Sequence, residues 1–255
     1  MTSMFVAIWV AVLTFVAGVL GLYLQKLLPD QHSVEKSRDM IGSVMGLVTL
    51  LLALVLGTIV GSAYFFSSTQ QSELQTLSVR DLLLDKALAQ YGPETKPTRD
   101  EMKESLSQVY NLFWGSGAGD VDPKLLTAAA AMDALKPMGD YLASLDPKTP
   151  EQKAAVSAAQ ANLGVIEQTR LLMSLQLAVP FSKPLLFVVV AWAAILFFGF
   201  GMLSRITATT LAAMALGAFA VASAIFLILE LSEPYSGLFR ISPAALEQTI
   251  AAMDR

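Results

Sequence analysis

Long runs without a charged side chain constrain this sequence most. Met4–Gln25 and Met40–Phe66 contain no Asp, Glu, Lys or Arg, and Pro184–Leu229 contains only Arg205. A helix needs about 20 mostly apolar residues to cross roughly 30 Å of hydrocarbon. The first run fits one crossing. The second is slightly long, which tilting or projection beyond the bilayer accommodates. The third is too long for one crossing and predicts a hairpin, Pro184–Leu203 followed by Ile206–Leu229. Arg205 then lies at the turn, where a charge avoids the cost of sitting at the bilayer centre. The expectation is an all-α integral membrane protein with four transmembrane helices. Met1–Ser3 lacks a positive charge and no small-residue cleavage site follows the first apolar core. That run is therefore read as a retained helix, not a leader. Trp9, Tyr23, Tyr64 and Phe181 fall near span ends, where aromatic belts form.

Between the runs the composition changes. The chain is 55% hydrophobic and 15% charged, against about 25% charged in soluble domains. Its charges cluster in Asp30–Asp39, Glu73–Lys153 and the tail from Glu230. A net charge of −4 offers no basic surface, so no nucleic-acid partner is expected. With no cysteine, disulfides, thiolate metal sites and cysteine nucleophiles are excluded. The one histidine, His32, lies in a polar loop and reads as solvated. No P-loop, dinucleotide fingerprint, nucleophile elbow or zinc spacing is found. No enzyme activity, cofactor or metal is expected.

The predicted organisation is residues 1–66 as the first two spans, 67–183 as a helical extramembrane domain, 184–231 as the last two spans, and 232–255 as an interfacial loop with a short helix. Within the domain, Thr98-Arg-Asp-Glu101 reads as a capping box opening a helix to about Trp114. Asp122-Pro123 and Thr149-Pro150-Glu151-Gln152 mark two further helix starts. Helices are expected over about 67–91, 98–114, 123–145 (kinked at Pro137) and 150–179, with Gly115–Gly119 as a loop. Met40 to Tyr91 contains no proline, so one helix of about 78 Å is possible. Leu74, Leu77, Asp81, Leu84, Leu88 and Tyr91 recur at steps of three and four, a coiled-coil seam interrupted by one carboxylate. A buried carboxylate needs a partner. Arg170 is the candidate, because both residues lie about 22 Å from their spans on antiparallel helices. The alternative is a solvated Asp81 beside Arg80 and Lys86. Asp81 and Asp85 share a helix face, but structural or solvated roles suit them better than acid–base work.

Small residues at Gly42, Gly46, Thr49, Ala53, Gly57 and Gly61 line one face of the second span. Such a face permits close helix packing; the sharper reading is a narrow pore in an oligomer, with Thr49 and Thr58 as polar rungs. No span carries the carboxylate or histidine that many pumps and ion-coupled transporters use, which argues against active transport. A passive pathway of hydroxyls, backbone and dipoles remains open. After the fourth span, Glu230, Glu233, Pro234, Gly237 and Arg240 form an interfacial segment, read either as an anchor or as a charged vestibule. Lys26, Lys36, Arg38 and Arg205 outnumber Arg240 and Arg255, with Lys183 on the domain side. The lean is a cytoplasmic first loop and an extracytoplasmic domain in the cell (inner) membrane.

Three segments carry a resemblance: Leu82-Leu-Leu-Asp-Lys-Ala-Leu-Ala-Gln-Tyr-Gly-Pro-Glu94, Gln168-Thr-Arg-Leu-Leu172, and Ala222–Leu231 running into Pro234-Tyr-Ser-Gly237 and Arg240-Ile-Ser242. With their order, they resemble the bacterial bestrophin-like family of uncharacterised membrane proteins. The resemblance implies four spans and an inserted helical domain, and by name a relation to bestrophins, pentameric anion channels with cytosolic termini. That orientation runs against the charge count. The dense acidic calcium-binding cluster of animal bestrophins is missing, so calcium gating is not implied. The leading expectation is a homo-oligomeric passive channel, for anions or other inorganic ions, in contact with the lipid bilayer. The alternative is a non-conducting membrane scaffold or sensor with a partner-binding helical domain.

Overall fold

The computed structural model describes residues 2–27, 31–115, 127–178 and 183–253. It is helical: α1 (Thr2–Leu27), α2 (Gln31–Tyr91), a 3-10 turn (Pro93–Thr95), α3 (Lys96–Trp114), α4 (Ala128–Asp133), α5 (Lys136–Ser144), α6 (Pro150–Ala178), α7 (Lys183–Leu203), α8 (Ala208–Leu231) and α9 (Ala244–Ala252). No strand occurs among the described residues. Among the described residues four helices are long and apolar enough to cross a membrane: Ser3–Lys26, Asp39–Tyr91, Pro184–Leu203 and Ala208–Leu231. The expected hairpin is present, with Arg205 exposed in its turn. The Thr207 hydroxyl caps α8 by accepting from the Thr210 amide.

The chain divides into two compact units. The first comprises Met1–Phe66 and Phe181–Glu233; the second comprises Ser67–Pro180 and Pro234–Arg255. The C-terminal segment, set apart on sequence grounds, thus packs within the helical unit. Helix α2 is unbroken from Gln31 to Tyr91 and contributes to both.

In the first unit, α1 packs against α7 and α8. Its buried face runs Ser3, Ala7, Val10, Thr14, Gly18 and Gly21. A Cβ at Gly21 would collide with the Phe198 carbonyl, and one at Gly201 with the Gly18 carbonyl. Two backbones therefore meet where glycine alone fits. Lipid tails are as apolar as leucine, so helices here gain by close van der Waals contact more than by escaping water. Val10, Met45, Leu52, Ile59, Val189, Leu196, Ile225 and Ile228 complete this core.

In the second unit the predicted seam is realised: Leu74, Leu77, Asp81, Leu84, Leu88 and Tyr91 are all buried. Leu77, Leu84 and Leu88 join one core with Met102 and Leu106 of α3, Leu142 of α5, Leu163, Ile166 and Met173 of α6, and Leu246 and Met253 at α9. Thr149 and Gln152 form a reciprocal capping box at α6, the Gln152 amide donating to the Thr149 hydroxyl while Gln152 accepts from the Lys148 and Thr149 amides.

Two predicted boundaries are corrected. Helix α3 opens at Lys96, not at Thr98, with Pro97 in its first turn and no side-chain cap. The Thr95 hydroxyl instead donates toward the Leu88 and Gly92 carbonyls, clamping the turn. The helix expected over 123–145 is divided, with α4 ending at Asp133 and Pro137 in the first turn of α5. A proline clashes with the carbonyl four residues before it, and that residue is Asp133. The Asp122-Pro123 start, the Gly115–Gly119 loop beyond Gly115, Phe181 and the side chains of His32, Lys36, Arg38 and Lys183 lie outside the described residues.

The Asp85 carboxylate is buried and accepts two hydrogen bonds from Arg99, at 2.6 and 2.9 Å. Bonding to Asp85 raises the Arg99 pKa, keeping the guanidinium charged. A bidentate pair with little exposure is among the stronger polar contacts. Removing one partner leaves the other charge uncompensated, so Arg99→Met is expected to destabilise the fold by about 2 kcal/mol. Chemical denaturation in detergent followed by circular dichroism would read this; an unchanged midpoint would show the pair to be energetically idle.

Candidate functional site

Two features stand out, one in each unit. In the first, the small-residue face of α2 is uncovered. Gly42, Gly46, Thr49, Ala53, Gly57 and Gly61 are all exposed. A Cβ built on any of the four glycines would meet nothing within 4 Å. Among the described residues no neighbouring helix approaches these four glycines. The helix buries its other side through Met45, Leu52, Ile59 and Ala63. In its most apolar window 17% of residues are buried, against 28–33% for the other three spans. The Thr49 and Thr58 hydroxyls each donate to a carbonyl one turn back, Met45 and Leu54, both at 2.8 Å. The stripe therefore presents hydroxyl oxygens and bare backbone outward.

The interfacial segment divides between the units. Glu230 is buried in the last turn of α8, and Glu233 follows its cap. In the second unit, Pro234 and Ile241 close a loop through a 3.0 Å backbone bond. Gly237 sits at its tip with φ 79°, a conformation that glycine adopts at no steric cost. Leu238, Phe239 and Arg240 are exposed beside it.

The second unit holds a polar and aromatic assembly that sequence reasoning missed. The Tyr235 hydroxyl donates to Gln70 (3.1 Å), Gln70 donates to Gln176 (2.6 Å), and Gln176 donates to Glu73 (3.0 Å). The other Glu73 oxygen is buried without a hydrogen-bond partner among the described residues. Burial and the Glu73 charge push the Tyr235 phenol well above its usual range. Phe113 and Trp114 pack on the Tyr235 ring at 5.1 and 6.1 Å, and the Trp114 indole donates to the Ile241 carbonyl. The i, i+3, i+4 spacing of Tyr110, Phe113 and Trp114 was the available signal.

Beside this assembly lie two cavities, of about 300 and 440 Å³. Asp81, Leu106, Ala134 and Arg170 line both. The smaller is walled mainly by apolar groups, among them Leu74, Leu77, Phe113 and Trp114. The larger adds Thr98, Glu101, Ser105 and Tyr141. Asp81 is 5% exposed. Desolvation raises its carboxyl to a pKa of about 6, against the opposing attraction of Arg170. The expected partners therefore share both cavities and interact through space. They do not close to a direct ion pair, and neither makes a hydrogen bond to a described residue.

A family model described as the Bestrophin-like domain matches residues 12–246 of the chain. No curated protein and no solved structure matches the chain.

Proposed function

Because the chain belongs to the bestrophin-like family, we propose that several copies assemble in the membrane around the small-residue face of α2 and form a passive ion pathway. The observation that carries this reading is the bare face itself. An exposed leucine in a span needs no explanation, since lipid covers it. A line of glycines does, because glycine loosens a helix by about 1 kcal/mol relative to alanine and gains only where another backbone approaches. Among the described residues none does, which favours a neighbouring copy or a water-filled axis.

The charge pattern supports a passive route. The described spans offer no carboxylate ladder for proton or ion coupling; Glu230 comes only in the last turn of α8. The threonine hydroxyls spend their protons on their own helix. Anion coordination would therefore require Thr49 and Thr58 to rotate outward, whereas their oxygens already suit water or a cation. The helical unit, rich in charge, belongs in water by composition. The charge count favours a cytoplasmic first loop and so an extracytoplasmic helical unit; a reporter fused at Gly115 would read the side directly.

Purified protein in liposomes is expected to pass chloride, sodium or potassium above the level of protein-free vesicles. Absence of flux for all three ions would contradict conduction. The two cavities favour a second reading, a membrane sensor that binds a small molecule in its helical unit without conducting.

A further inference from the structure

We propose that the paired cavities between α2, α3 and α6 bind a small zwitterion with an apolar side chain, in chemical class an α-amino acid such as leucine or phenylalanine. Three observations converge on this ligand. First, opposite charges stand on the walls of the same space, with Asp81 on α2 and Arg170 on α6. Neither has a protein hydrogen-bond partner among the described residues. A buried carboxylate normally finds a partner, and Asp81 is buried while facing a cavity. Second, the pair carries no net charge, so a neutral ligand with one ammonium and one carboxylate matches it. The ammonium would meet Asp81, and the carboxylate would take the fork of Arg170, whose planar donors suit that group. Third, one chamber is apolar and aromatic through Leu77, Val109, Phe113 and Trp114, while the other adds Thr98, Ser105 and Glu101. A side chain would enter the first, and the charged end would stay at the junction. Volumes of about 300 and 440 Å³ fall within the range of small-molecule sites, roughly 300–1,000 Å³.

The titratable and charged groups sharing these walls with Asp81 are Arg170 on α6, Glu101 on α3, Tyr141 on α5 and Tyr235 in the loop after α8. An ammonium needs the ionised carboxylate. Binding should therefore strengthen as pH rises through about 6, the Asp81 value. One unit below a pKa about one-tenth of the carboxylate is ionised, so affinity at pH 5 should be roughly tenfold weaker than at pH 7.5.

The test uses the full chain in lipid nanodiscs with isothermal titration of L-leucine and L-phenylalanine. Controls are the analogues that lack one charge, 3-methylbutylamine and 4-methylpentanoate. Saturable binding of an amino acid is expected, with each analogue at least about tenfold weaker, the equivalent of one lost polar contact. Asp81→Asn and Arg170→Gln, both checked for native helicity, should abolish the signal. The proposal is overturned by absence of binding for both amino acids, by equal binding of either analogue, or by full affinity in Asp81→Asn. None of these outcomes bears on ion flux, so this site and the conduction reading fail separately.

Discussion

Gly46→Leu and Gly57→Leu should leave the protomer folded while disrupting assembly and ion flux, whereas Gly21→Leu should prevent the protomer from packing. All three place the same side chain on a helical glycine in a span, so intrinsic propensity favours each substitution by roughly 0.5–1 kcal/mol. Surroundings decide the outcome. At Gly46 and Gly57 the new side chain enters empty space in the protomer. At Gly21 even the first carbon collides with the Phe198 carbonyl of α7. A backbone cannot swing away as a side chain can, so α1 and α7 must separate and lose contact along the crossing. Overpacking costs about 1–3 kcal/mol where side chains can shift; here the upper end or beyond is expected. Gly21→Leu should give low monodisperse yield in detergent and a lowered melting midpoint. Gly46→Leu should melt like the parent and lose association by at least tenfold per contact, about 1.4 kcal/mol. Equal behaviour of the two variants in the melting assay would refute the distinction between the two faces.

The second large effect concerns Asp81. Its carboxyl is raised in the folded state from 3.8 to about 6. The folded chain then holds a proton that the unfolded chain has released, and stability falls as pH rises between those values. Above pH 6 the full penalty applies; below about pH 4 it vanishes. Two pKa units correspond to roughly 3 kcal/mol. Asp81→Asn removes the titrating group, so the variant should be more stable than the parent at pH 8, by up to about 3 kcal/mol. The two should converge near pH 4. Thermal melts across that range would read the difference. A variant less stable than the parent at pH 8 would mean that the ionised carboxylate is stabilised by a partner. A carboxyl kept at this cost in a cavity is a mark of use rather than of architecture.

Much of the fold was legible because hydrocarbon imposes a simple demand. The spans, the hairpin turn at Arg205 and the continuity of α2 follow from runs without charge and without proline. The seam from Leu74 to Tyr91 followed from heptad spacing. The boundaries that failed did so through local competition. Thr98 lost the start of α3 to Pro97 and to the Thr95 hydroxyl bonds. The site was harder. Asp81 and Arg170 were placed in register by residue counting, but that cannot distinguish a closed pair from charges facing a shared cavity. Asp85 gave no sign of Arg99, fourteen residues further on, beyond local proximity around the 92–95 turn. The true glycine crossing, Gly18 and Gly21 against Gly201, was overlooked because each helix contributes only one or two glycines. Sequence spacing shows a stripe on one helix; it does not show which helix lies against it.

Because the chain has no cysteine, one introduced thiol reports without background. Gly46→Cys in native-like lipid should form a disulfide-linked dimer on mild oxidation, while Leu52→Cys, buried inside the protomer, should not. If Gly46→Cys stays monomeric under oxidation and reacts freely with a lipid-soluble maleimide, the bare face of α2 meets lipid alone, and assembly around it is wrong.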